Sequence, residues 1–343
     1  MTVSKTRLEL NQRIIWVDYA KGIGIFLVVL GHVIRSFNKG SISNVPEFYS
    51  YIDQWIYAFH MPLFFFISGL FIERSASKNL NKFVVNKLQT IAYPYFVWSI
   101  VQEIIRHFAG IESENLGSLW KSIYQPILEF WFLYVLFLIS LFYVLLRHLK
   151  VSIGLFFIIS VLLYTVPILG INIGSWGVIY LVCSNLVYFA LGALVQERNI
   201  LFYLEKARPL FLIITSLLGF LIIAFASYFN LLKINYLTVF FAFIGIAASV
   251  FLAKYLEQFA RSKFLKNWGF LSLQIYVAHT IFAALTRIIL RKVFHINDLT
   301  INLFLGTLIG IYGPIILYNL CSKLNFDYAF VWPSSKEKKI KFN

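Results

Sequence analysis

The chain has 343 residues, 60% of them hydrophobic and only 13% charged. Soluble domains carry nearer a quarter charged residues, so the composition excludes an ordinary water-soluble enzyme and indicates an integral membrane protein. The formal net charge of +15 would suit a nucleic-acid binder, but lysine and arginine also gather in the cytoplasmic loops of membrane proteins.

A transmembrane helix needs roughly 20 mostly apolar residues. Apolar runs between polar breaks predict an all-α bundle of ten spans, at 17–37, 54–73, 84–106, 124–146, 151–169, 175–196, 209–229, 234–253, 268–290 and 300–321. The start MTVSKTRLELNQR is polar. No small-residue cleavage site follows the first run, which predicts a retained span and not a signal peptide.

The first span, WVDYAKGIGIFLVVLGH and onward, carries Asp18, Lys21 and His32. Ionisable side chains inside a span are costly, which makes each a functional candidate. Lys21 and His32 are eleven residues apart, close to three turns, so they share a face and lie about 16 Å apart along the axis. Asp18, three residues earlier, can pair with Lys21. The plainer alternative has Lys21 snorkelling to the interface and His32 bonded to a neighbouring helix.

The second span, QWIYAFHMPLFFFISGLFIER, brings His60 to a depth similar to that of His32. The two histidines can share a cavity, or His60 can satisfy carbonyls freed by Pro62. Ser68-Gly69 suits close helix packing. Glu73 and Arg74 at the end of the run are interface charges unless an anionic ligand docks there. The third span is interrupted by Lys87, Gln89 and Pro94. Glu129 opens the fourth, EFWFLYVLF, and the ninth, LSLQIYVAHTIFAALTR, carries His279 and Arg287. His279 can equally be a hydrogen-bonded core residue.

Ten spans would put both termini on one side. On that side the loops, with the N-terminus and tail, hold 22 of the 30 lysines and arginines. The asymmetry predicts cytoplasmic termini and removes nucleic acid as an expected partner. The chain reads as one membrane domain whose basic tail, from residue 322, is solvated or lies on anionic lipid. Cys183 and Cys321 build neither a disulfide framework nor a metal site. There is no G-x-S-x-G elbow and no phosphate-cradling glycine loop.

Four of these stretches together resemble the bacterial membrane acyltransferase-3 family, which includes sugar and polysaccharide O-acetyltransferases of the fucose 4-O-acetylase type. WVDYAKGIGIFLVVLGH resembles its opening Asp, basic residue and His, here Asp18, Lys21 and His32. FHMPLFFFISG resembles its second-span motif, WFLYVLF its fourth-span aromatic motif and SLQIYVAH its late Ser, Tyr and His motif. In place of the basic pair many members carry before the third helix, KFVVNKLQTIAYPY offers Lys82 and Lys87. No hydrolase-like domain is expected after the membrane domain.

The resemblance implies an acyltransferase of the bacterial plasma membrane that takes acetyl-CoA from the cytoplasm as co-substrate, with no bound cofactor or metal. His32 is then the catalytic residue, as general base or acyl carrier. Lys21, Arg74, Lys78, Lys82 and Lys87 attract the polyanionic donor, with Asp18, His60, Glu129, His279 and Arg287 in support. The acceptor is a capsular or other surface polysaccharide, or a lipid-linked sugar. Peptidoglycan, teichoic acid or lipid would serve the same chemistry. A transporter and a non-catalytic acyl-CoA-binding protein are the rival classes.

Overall fold

A backbone N–H or C=O facing lipid has no water to bond, so a chain that crosses a bilayer satisfies these groups within helices or a closed barrel. The computed structural model describes residues 14–39, 45–76, 79–108, 116–260 and 262–333, which are helical with no β-strand among them. The polar start, Lys78 and the tail from 334 lie outside the described residues.

In chain order the helices are α1 (Ile15–Lys39), α2 (Glu47–Tyr57), α3 (His60–Leu70), α4 (Ile72–Ala76), α5 (Leu80–Lys87), α6 (Tyr93–Phe108) and α7 (Trp131–His148). They continue with α8 (Ile153–Ile168), α9 (Val178–Glu197), α10 (Pro209–Tyr228), α11 (Asn235–Tyr255), α12 (Lys263–Phe270), α13 (Ser272–Lys292) and α14 (Leu299–Lys323). Seven stretches are long and apolar enough to cross a membrane: α1, the segment ending in α7, α9, α10, α11, α13 and α14.

The ten expected spans therefore become seven by length and composition, and each of the other three has a physical reason. The second divides at Ala58–Phe59 into α2 and α3 and again at Phe71. Pro62 falls in the first turn of α3, where its missing N–H is an orphan in any case. The third is interrupted by a π-helical turn, Leu88–Ala92, just ahead of Pro94; widened turns of this kind mark sites where the regular ladder is broken. The fifth, α8, has 16 residues. The ninth starts later than expected, at Ser272, because Leu271 leaves the helical conformation and separates α12 from α13.

The first helix is the hub. It packs against α3, α11, α12, α13 and α14, and 72% of its apolar window is buried, against 33% for α10. That contrast explains how α1 tolerates Asp18 and His32: its polar residues meet protein, not lipid. At its start the backbone N–H of Trp16 is accepted by the Glu257 carboxylate at 3.1 Å, a favourable charge for a helix N-terminus.

Two crossings bring backbone against backbone. A Cβ on Gly69 would fall 2.0 Å from the Phe189 carbonyl oxygen, and one on Gly192 would fall 2.1 Å from that of Phe66. The α3–α9 contact thus requires both glycines, as small residues do in membrane bundles. Gly22 on α1 and Gly269 on α12 make a second such pair. Glu73 on α4 accepts from Arg147 at 3.0 Å and from the Tyr143 hydroxyl, tying this end of the chain to α7.

Candidate active site

The site gathers where α1 nears its end. His32, Arg35 and Ser36 come from the last turns of α1, and the break between α2 and α3 delivers Tyr57 and His60 beside them. His60 is buried, and its Nδ1 donates to the Ile56 carbonyl at 2.8 Å. The carbonyl it satisfies is thus one at the break itself, and Pro62, in the first turn of α3, frees none for it. The Tyr57 and His60 rings stand edge to face at 4.6 Å. Arg35 lies over the Tyr57 ring and holds Asp53 through two bonds, of 2.8 and 3.1 Å.

The opposite wall is α13 with the 3-10 turn Leu128–Phe130. Glu129 sits in that turn, just before α7 begins. Its carboxylate oxygen Oε1 accepts from the Thr280 hydroxyl at 2.5 Å and from the Gln102 amide at 2.8 Å, while its backbone carbonyl accepts from the Tyr276 hydroxyl. Two helices, α6 and α13, therefore meet the turn before α7 at one glutamate. Such a network costs dearly when half made and holds its members rigidly when complete.

His279 is fully buried. Its Nδ1 lies 2.7 Å from the Tyr276 carbonyl oxygen, which can only accept, so the proton is on Nδ1 and Nε2 carries a lone pair. That Nε2 is buried with no hydrogen-bonding partner in the protein. Its ring stands edge to face with His32, centroids 5.0 Å apart. Arg287, two turns further along α13, donates to the Ser36 carbonyl at 2.8 Å and fastens α13 to α1.

These residues enclose a cavity of about 450 Å³ lined by His32, His60, Glu129 and Arg287 together with Arg35 and Tyr57, within the usual size range of small-molecule sites. His32, His60, Glu129, His279 and Arg287, expected from spans one, two, four and nine, thus converge. Asp18, Lys21, Arg74, Lys82 and Lys87 do not line this cavity. Asp18 is buried beside Gly269, Arg74 and Lys82 are exposed, and the Lys87 ammonium lies 5.4 Å from the Phe83 ring.

Sequence reading passed over Arg35, Tyr57, Gln102, Tyr276 and Thr280 as site members. Arg35 had a signal, since it lies one turn past His32 inside a run built for lipid. Gln102 had one too, as an amide within an apolar helix. Tyr276 had one as the tyrosine of SLQIYVAH, whereas Tyr57 is indistinguishable by sequence from an ordinary interface aromatic.

Comparison with known proteins gives a family match over nearly the whole described chain. The acyltransferase-3 model, described as an acyltransferase domain, matches residues 14–319. Nodulation protein NolL of Sinorhizobium fredii is 30% identical over 32% of this chain, and the match covers 33% of that relative, so it spans only about a third of each. No solved structure matches the chain.

Proposed function

Since this chain belongs to the acyltransferase-3 family and is a multi-pass membrane acyltransferase, we propose that it moves an acetyl group from cytoplasmic acetyl-CoA to a hydroxyl of an envelope glycan, a capsular or other surface polysaccharide. The observation that carries this reading is His32 at the wall of the cavity with the buried ring of His279 packed edge to face against it.

In the proposed reaction His32 accepts the proton of the sugar hydroxyl as its oxygen attacks the thioester carbon. The carbon–sulfur bond breaks, and the imidazolium returns the proton to the leaving thiolate, so ester and free CoA form with no net change in protons. As the His32 ring gains its charge it turns an N–H to the unpartnered lone pair of His279 Nε2, which steadies that charge. Arg287 favours the negative charge that builds on the thioester oxygen. Glu129, held by Thr280 and Gln102, fixes α13 against the turn before α7.

The donor enters from the end where α1 begins. Lys21 lies about 16 Å along the helix from His32, a gap suited to an extended pantetheine arm. Arg74, Lys82 and Lys87, on either side of the turn from α4 to α5, supply further cations for the CoA phosphates. Both termini are cytoplasmic and the chain crosses the bacterial plasma membrane ten times, with α2–α3 and α5–α6 each completing a crossing as a broken helix. The split of 22 basic residues against eight supports that orientation.

The test is chemical analysis of the envelope glycan. Proton NMR of glycan from a deletion strain and its complemented parent is expected to show O-acetyl signals only in the parent. Unchanged O-acetylation with an altered flux of solute would replace this reading with a transporter.

A further inference from the structure

Trp131, the first residue of α7, lines three cavities. One is the His32 cavity; a second, of about 510 Å³, lies between α2, α8, α9 and α11; a third, of about 880 Å³, lies under Gln125 and Trp176. Arg35, Tyr57 and Met61 are shared by the first two as well, so a wall one side chain thick separates the second cavity from His32.

The chemistry of that second cavity is of a particular kind. Its broad faces are the rings of Trp131, Tyr164 and Tyr188, and between them stand Gln54, Asn185, Asn235 and Thr238. Carboxamides and hydroxyls both donate and accept. Some of that capacity is unspent: Gln54 Oε1 is buried with no partner in the protein, and Asn185 commits one amide N–H to the Leu181 carbonyl at 2.8 Å. Asp53, the carboxylate lining the cavity, is neutralised by Arg35 through its two bonds. Lys233, the remaining charged lining residue, is exposed.

A polyanionic CoA headgroup would require cations here, and an acyl chain would leave the amides unpaired at a cost. An uncharged ring with apolar faces and a girdle of hydroxyls satisfies both surfaces at once.

We infer that this second cavity is the acceptor subsite and takes a neutral sugar residue of the glycan, whose neighbour presents its hydroxyl to His32 past Arg35 and Tyr57. The inference rests on the proposed O-acetylation but is tested apart from it. The third cavity, with Trp176 bonded to the Tyr124 carbonyl, continues the path for the next sugars of the chain.

The experiment is a tryptophan-fluorescence titration of the full chain in detergent, without acetyl-CoA. One probe is the de-O-acetylated oligosaccharide released from the host envelope glycan; the other is the same sugar on its lipid carrier. Saturable quenching by the lipid-free oligosaccharide assigns the subsite to polymer, and quenching by the carrier-linked form alone assigns it to a precursor. Gln54→Leu, Asn235→Ala and Thr238→Val are each expected to weaken binding about tenfold, while acetyl-CoA protection of the same proteins stays as in the wild type. His32→Ala is expected to bind sugar normally, which separates this subsite from the catalytic reading. Wild-type affinity in all three cavity variants, or no binding of either probe to the wild type, overturns the inference. Should glycan O-acetylation prove independent of the protein, the titration still reads the subsite by itself.

Discussion

The rings of His32 and His279 stand edge to face with centroids 5.0 Å apart, and the Nδ1 proton of His279 is committed to the Tyr276 carbonyl. One imidazole is therefore held in a single tautomer beside another that lines the cavity. The Nδ1 of His279 is committed to the helix, and its Nε2 is left without a partner in the protein; in the proposed reaction Nε2 is the atom that serves His32.

That division makes His279→Asn an informative variant. The asparagine amide reproduces the Nδ1 donor and can keep the bond to Tyr276, but it has nothing where Nε2 stood. Membrane abundance is expected to stay close to wild type while acetyl transfer falls roughly 10²-fold, the lower range for loss of a group assisting proton transfer. Abundance by immunoblot and acetate release from the glycan read the two quantities separately.

Gly192→Ala tests the frame that carries His60. Its new Cβ would meet the Phe66 carbonyl oxygen at 2.1 Å, a backbone atom that moves only if α3 and α9 separate. A loss of about 1–3 kcal/mol is expected, the usual range for overpacking, read as a lower melting temperature in detergent. Gly154→Ala, which meets nothing within 4 Å, should leave that temperature unchanged.

On the donor side, Lys21→Ala is expected to raise the KM for acetyl-CoA about 10- to 150-fold, the equivalent of one lost charged contact of about 1.5–3 kcal/mol. Lys21→Arg should be milder because charge and reach survive. Donor kinetics at saturating acceptor read this directly, and an unchanged donor KM would leave Lys21 a snorkelling interface residue.

For the orientation, cysteines at Ser152 and Lys206, both exposed in loops on the expected cytoplasmic side, should resist an impermeant thiol reagent in intact cells. One at Ser175, exposed between α8 and α9, should react. The reverse pattern would place the donor site outside and defeat the use of cytoplasmic acetyl-CoA.

Much of this architecture was legible from apolar runs alone, because α9, α10, α11 and α14 are bounded by polar loops that end them within a few residues of the expected limits. The broken helices were less so. Pro62 and Pro94 announced trouble, but whether a proline bends a helix, widens a turn or starts a new helix depends on which neighbours take up the freed carbonyls. At the site, helical spacing placed Lys21 and His32 on one face, since that is a property of one helix. It carried no information on which residue of α13 meets α1, or that Gln102 and Thr280 would converge on Glu129 from sequence separations of 27 and 151 residues. Those relationships exist only once the helices are packed.

The most direct test of the account is acetate release from the envelope glycan in His32→Ala and His32→Gln strains, normalised to membrane abundance. Loss of a general base lowers transfer roughly 10²–10⁴-fold, so both variants are expected to leave no detectable O-acetylation while the protein accumulates normally. Glutamine keeps a hydrogen-bonding group but cannot take a proton near neutral pH, so a structural histidine would be rescued by it and a catalytic one would not. Normal acetylation in His32→Ala at matched abundance would contradict the central claim.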